Sequence, residues 1–159
     1  MEIYYQIIEI NDQYVSEALA LVWRVFLEFE APEYCDEGID EFKRYIEPDA
    51  IKERLIKDEL KMRVCLKESI VIGVIAMRPP CHISLMFVDK CYHKQGIARA
   101  LFEHLLAEVK ADNKHKEMTV FSSPYAADFY RKMGFVDTDT ERTVNGIRFI
   151  PMMRSVKAT

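Results

Sequence analysis

The chain has 159 residues, 50% of them apolar and 30% charged, with a formal net charge of −4. That composition describes one ordinary domain spanning residues 1–159 with enough apolar content for a continuous core, not a disordered or fibrous chain. The acidic balance argues against a protein whose main task is to hold nucleic acid, because such affinity rests on many phosphate neutralisations.

The first residues, MEIYYQIIEI, are apolar but carry Glu2 and Glu9 and lack a basic leader. No run approaches the ~20 apolar residues that a membrane span needs. Cys35, Cys65, Cys81 and Cys91 form no CxxC pair and have no histidine at ligand spacing. Reduced, unligated thiols and a cytoplasmic protein are therefore expected, with no metal and no membrane. A Cys81–Cys91 bridge is conceivable, although nothing in the sequence calls for it.

In chain order, residues 2–10 are rich in aromatic and branched side chains and predict a strand. Residues 13–29 place Val15, Ala18, Leu19, Val22, Phe26 and Phe29 on one helical stripe. Residues 31–38 read as a loop, and 39–58 as helical with a break near Pro48. Residues 60–68 and 69–78 are two strand runs, and 81–88 is a third. The helix predicted over 96–110 buries Ile97, Leu101, Leu105 and Val109 at steps of four. Residues 117–123 predict another strand. A short helix follows, with Ser123 as N-cap, Pro124 at its first position and Gly134 closing it. Asn145-Gly146 between two extended runs is a strong hairpin signal. This order mixes an antiparallel meander with one β-α-β crossover, an α/β fold in the broad sense, or α+β.

The chemistry begins at "VDKCYHKQGIARAL", where an apolar run gives way to a basic turn, Gly96 and a helix. Backbone N–H groups at such a helix start point at an anion, and glycine admits both close approach and a positive φ. The alternative is a plain strand–helix turn that Gly96 only relieves. A P-loop and a GxGxxG fingerprint are both absent, so neither a nucleoside triphosphate nor a dinucleotide is the obvious ligand.

A second stretch, "SSPYAADFYRKMGF", sharpens this reading. Together with "YHKQGIARAL" it resembles the two signature blocks of the GNAT superfamily of N-acetyltransferases. The family's loop, Arg/Gln-x-x-Gly-x-Gly/Ala, is matched by His93, Lys94, Gln95, Gly96, Ile97 and Ala98, departing at His93 alone. Its later block, A-x-x-FY-x-K-x-GF, is matched at Ala126, Phe129, Tyr130, Lys132, Gly134 and Phe135. The resemblance implies a GNAT-like mixed, mostly antiparallel central sheet flanked by helices, with the crossover at the cofactor loop.

It also implies acetyl-CoA as cofactor. The pyrophosphate would rest on the amides from Lys94 to Arg99, and the pantetheine arm on the backbone of Met86, Phe87 and Val88. Ser123 and Tyr125 fall at the same edge of the cofactor site. Tyr130 matches the position that protonates the departing thiolate in many members. His82 is the only titratable group on the preceding strand and is the candidate base. Glu28, Glu30, Glu33 and Glu37 lie where the family's acceptor-binding loop falls and suit a cationic amine. The activity implied is transfer of an acetyl group to a primary amine, on a small molecule or a peptide, by direct attack. A non-catalytic acyl-CoA sensor on the same fold is the alternative. The apolar run "RFIPMMR" could pair across a homodimer.

Overall fold

The protein is described from a computed structural model that covers residues 4–157. An eight-stranded sheet forms its centre, in the order β1-β2-β3-β4-β5-β8-β6, with β7 paired to β8. The strands are β1 (Gln6–Glu9), β2 (Lys61–Lys67), β3 (Ile70–Arg78), β4 (His82–Val88), β5 (Glu117–Ser122), β6 (Val136–Asp137), β7 (Arg142–Val144) and β8 (Ile147–Ser155). Every pairing is antiparallel except that of β4 with β5, whose crossover carries a helix. The expected mixed sheet is thus the observed one. Residues 2 and 3 of the first predicted strand lie outside the described residues.

Helices α1 (Asp12–Phe29), α2 (Asp36–Tyr45) and α3 (Pro48–Ile56) cover one face; α4 (Ile97–Asp112) and α5 (Ala127–Lys132) cover the other. Alternation along β3 supplies both layers: Val74 and Ala76 point to α1, while Ile75 and Met77 pack under α4. None of the helices among the described residues is long and apolar enough to cross a membrane.

Two sequence expectations need correction. The loop predicted over 31–38 contains a 3-10 turn at Ala31–Glu33, and its last three residues begin α2. The short helix after β5 starts at Ala127 rather than at Pro124. The segment between is a turn in which the Ser123 carbonyl and hydroxyl oxygens both accept the Ala126 N–H, so Ser123 caps the turn and not the helix. The thiols are unbridged as expected: Cys81 and Cys91 flank the seven-residue β4, roughly 20 Å apart at strand rise, which leaves no room for the conceivable bridge. All four cysteines are free.

The hairpin at Asn145-Gly146 forms as expected, with φ of 53° and 78° at its two central residues. Its tip docks on the first turn of α2, where Gly38 is buried against the backbone of Gly146. Cys35 Sγ also reaches the Gly146 carbonyl. A methyl group on Gly38 would land on the Gly146 carbonyl oxygen, a backbone atom with little room to yield. Gly38→Ala therefore sets a helix-propensity gain of about 1 kcal/mol against overpacking of about 1–3 kcal/mol. Net destabilisation is expected in urea unfolding; a more stable variant would show that the tip does not bear on α2.

Candidate active site

The site starts from a defect in strand pairing. β4 and β5 pair only at His82↔Thr119 and Ile83↔Val120. On its other edge β4 carries a bulge: Ala76 faces Leu85 and Met77 faces Ile83, so Ser84 has no ladder partner. A bulge bends its strand, and here the bend coincides with the point where β5 departs. The resulting cleft encloses about 320 Å³ and runs from α1 and α2 through the sheet to α5. Ser84 Oγ lines it, buried and without a hydrogen-bond partner among the described residues.

At the open end of the cleft, the loop after β4 is fastened to α1. Asp89 accepts the Cys91 N–H at 2.9 Å and an Arg24 guanidinium N–H at 2.8 Å. Lys90 pairs with Glu28 at 2.7 Å, one turn further along α1. Lys94 and Gly96 then adopt left-handed conformations, with φ of 62° and 82°. The N–H groups of residues 94–99 donate to no acceptor among the described residues; Ala100, bonded to Gly96 O, is the first that does. These free amides, alternating about left-handed residues at a helix start, make an anion-binding concavity. A Cβ on Gly96 would meet nothing within 4 Å, so it is the positive φ and not crowding that favours glycine there.

The loop's side chains point to other tasks. His93 turns its ring inward, donating from Nε2 to the Val88 carbonyl at 2.7 Å and packing on Phe29 with centroids 4.9 Å apart. Gln95 bonds the Cys91 carbonyl, and Arg99 pairs with Glu103. Lys94 is exposed and has no such partner among the described residues. Ile97, the first residue of α4, is buried and Ala98 packs against the same core. Met86 and Phe87 line the cleft itself.

Across the cleft, Tyr130 on α5 is 4% exposed and held edge-on by Phe129 and Phe135. Burial, and secondarily the carboxyl of Glu30, push its phenol well above the ordinary value. Ser123 lines the cleft beside it, and half-exposed Tyr125 stacks on Phe29.

Glu30 closes α1, its N–H bonded to the Phe26 carbonyl at 2.9 Å. Its side chain enters the cleft, where burial, reinforced by nearby Glu33, raises the carboxyl to about 7 against the pull of a Ser123 hydrogen bond. His82 behaves oppositely. Burial first and Arg78 second lower its imidazole to about 4, and Nδ1 lies 2.8 Å from Thr119 Oγ1. It is neutral throughout the physiological range.

Of the acidic residues singled out in the sequence, Glu30 alone lines the cleft. Glu28 is engaged with Lys90, while Glu33 and Glu37 are exposed and lie outside the lining. Glu41 lines the cleft unannounced, paired to Arg44 at 2.5 Å. Ser84, Arg78 and Tyr34 were missed as well. For Ser84 a signal existed, since it and His82 are the only polar residues in CHISLMFV.

The family profile of the acetyltransferase (GNAT) domain matches residues 30–156. The chain belongs to the GNAT acetyltransferases. Its fold is similar to that of a GCN5-related N-acetyltransferase from Rhodopseudomonas palustris, with TM-score 0.81, 18% identity and 98% of each chain covered. The PaiA N-acetyltransferase of Thermoplasma acidophilum, solved in complex with coenzyme A, gives TM-score 0.81 at 15% identity, covering 96% of this chain and 99% of its own. An aminoglycoside 6'-N-acetyltransferase, also complexed with coenzyme A, gives 0.67 at 15%, covering 97% and 98%. No curated protein sequence matches the chain.

The Glu30 shift has a measurable consequence. Between pH 4.5 and about 7 the folded chain holds a proton that the unfolded chain has released, so this group lowers stability as pH rises through that window. Glu30→Gln is expected to raise Tm at pH 8 and leave it unchanged at pH 4. An equal shift at both pH values would mean that the carboxyl titrates normally.

Proposed function

We propose that the protein transfers the acetyl group of acetyl-CoA to a primary amine within this cleft. The observation that carries the reading is the unpaired β4 edge, with free amides at one end and Glu30 and Tyr130 at its middle. An extended amide-containing chain satisfies such an edge much as a strand would.

The residues fit the cofactor. The N–H groups of residues 94–99 would hold its pyrophosphate, with Lys94 as the unpaired cation beside them. The backbone of Met86, Phe87 and Val88 would receive the pantetheine arm; the Val88 carbonyl already accepts from His93 and keeps one lone pair. Ser123 and Tyr125 border the same space. When bound, acetyl-CoA supplies an acyl group activated as a thioester.

The chain's own groups then divide the proton work. As the N–C bond forms and the C–S bond breaks, the amine loses a proton and the sulfur gains negative charge. Glu30 is matched to take that proton, since its carboxyl titrates near neutrality, whereas His82 at about 4 is too weak a base. Tyr130 keeps its own proton and donates a hydrogen bond toward the departing sulfur. Once Glu30 is protonated, the charge that helps hold the phenol high is gone. The two groups are thereby coupled, and the hydrogen bond that Tyr130 donates strengthens as the amine is deprotonated.

Calorimetry is expected to detect acetyl-CoA binding, and absence of binding at high micromolar concentration would overturn the reading. Tyr130→Phe is expected to lower kcat by roughly 10²-fold or more with cofactor affinity retained; an unchanged kcat would remove the residue from the chemistry. The kcat of the wild type should rise with pH through about 7, the Glu30 value, and Glu30→Gln should abolish that limb. A limb that persists in the variant would place the base elsewhere.

A further inference from the structure

Beyond Glu30 and Tyr130, the end of the cleft where β4 and β5 still pair, bordered by exposed Arg78, has a different character. Arg78 ends β3 directly opposite His82, the first residue of β4, so the two side chains share a face. Both line the cleft. Arg78 makes no ion pair and no hydrogen bond among the described residues; its guanidinium lies 6.0 Å from the centroid of Phe121. Phe121 is 50% exposed and packs against His82 and Phe149 at 4.5 and 4.7 Å. Two residues along from His82, at the bulge, the buried hydroxyl of Ser84 also lacks a partner. An unpaired cation, an unpaired hydroxyl and a half-exposed aromatic ring therefore converge where an acceptor's body would lie.

Negative charge on the lining is scarce. Glu41 is neutralised by Arg44, and Glu28 by Lys90 outside the cleft. That leaves Glu30 alone to meet a cation, which suffices for the one reacting amine. A second ammonium on a polyamine or aminoglycoside would have to face Arg78.

Building on the acetyl-transfer reading, we infer that the acceptor is an amino carboxylate of the amino-acid class with an apolar or aromatic side group. Its amine is placed at Glu30, its carboxylate at Arg78 and its apolar group against Phe121. The Ser84 hydroxyl donates a further hydrogen bond to its polar end. Arg78 suits this task because its planar fork holds a carboxylate through two parallel N–H groups.

The test compares matched acceptors, L-phenylalanine with L-phenylalaninamide and L-leucine with L-leucinamide, alongside spermidine, by thiol release from acetyl-CoA. The carboxylate of each pair is expected to have a kcat/KM about tenfold higher or more, the scale of a charge-assisted hydrogen bond. Arg78→Gln should bring that ratio to about one, Arg78→Lys should restore it in part, and acetyl-CoA affinity serves as the folding control. Faster turnover of the amides or of spermidine, or a ratio that Arg78→Gln leaves unchanged, would overturn the inference.

If acetyl-CoA binds and no amine releases thiol, the acetyl-transfer reading fails, and ligand binding then decides the acceptor inference separately. Calorimetry on the CoA-saturated protein would compare N-acetyl-L-phenylalanine with its carboxamide. Preference for the acid, lost in Arg78→Gln, supports the inference; equal or absent binding overturns it.

Discussion

The architecture turns on one extra residue. With Ser84 inserted between the partners of Ala76 and Met77, β4 cannot run straight beside both of its neighbours. It stays with β3 and gives up β5 after two residue pairs. A sheet interior normally leaves no backbone polar group unpaired, because an unmade hydrogen bond in a dry environment costs about 1–3 kcal/mol. The split edge thus presents β4 backbone groups that an extended ligand could pair with, and every proposed cofactor contact follows from its position. The helices respond to the same feature, with α1 and α2 roofing the cleft on one side and α5 closing it on the other.

Charge within the cleft is set more by burial than by pairing. His82 is buried and Glu30 half-buried, and burial favours the neutral form of each, raising one and lowering the other. The two values end on opposite sides of the order expected for free side chains. That inversion makes the carboxyl, and not the imidazole, the group that gains or loses a proton near neutrality, although neither residue is unusual in its chain neighbourhood.

Much of the fold was legible because it is written locally. The stripe of α1, the strand pair across residues 67–69 and the Asn145-Gly146 turn each depend on residues close in sequence. The proposed cofactor loop was legible only in combination, since a glycine at a strand–helix junction suits a plain turn equally well until it is read together with the later block around Tyr130. The remainder required the third dimension. The bulge at Ser84 is a matter of register between strands, which no single run of residues states. The inward turn of His93 depends on the Val88 carbonyl behind it and on Phe29 from another helix. Glu30 could not be told from Glu28 or Glu37 by type, only by which of them α1 carries into the cleft. Pro124 misled in a simpler way, because a proline that suits a helix start suits a turn equally well.

The hairpin tip against α2 has a consequence for how such a site can change. Gly38 and Gly146 meet main chain to main chain, so the hairpin tip is seated on α2 largely by backbone, with the Cys35 thiol adding a contact to the Gly146 carbonyl. Residues around that tip can then be exchanged one at a time without loosening the frame that presents them. Two glycines in contact thus separate the shape of the opening from its chemical lining, and the lining can change while the entrance stays as it is.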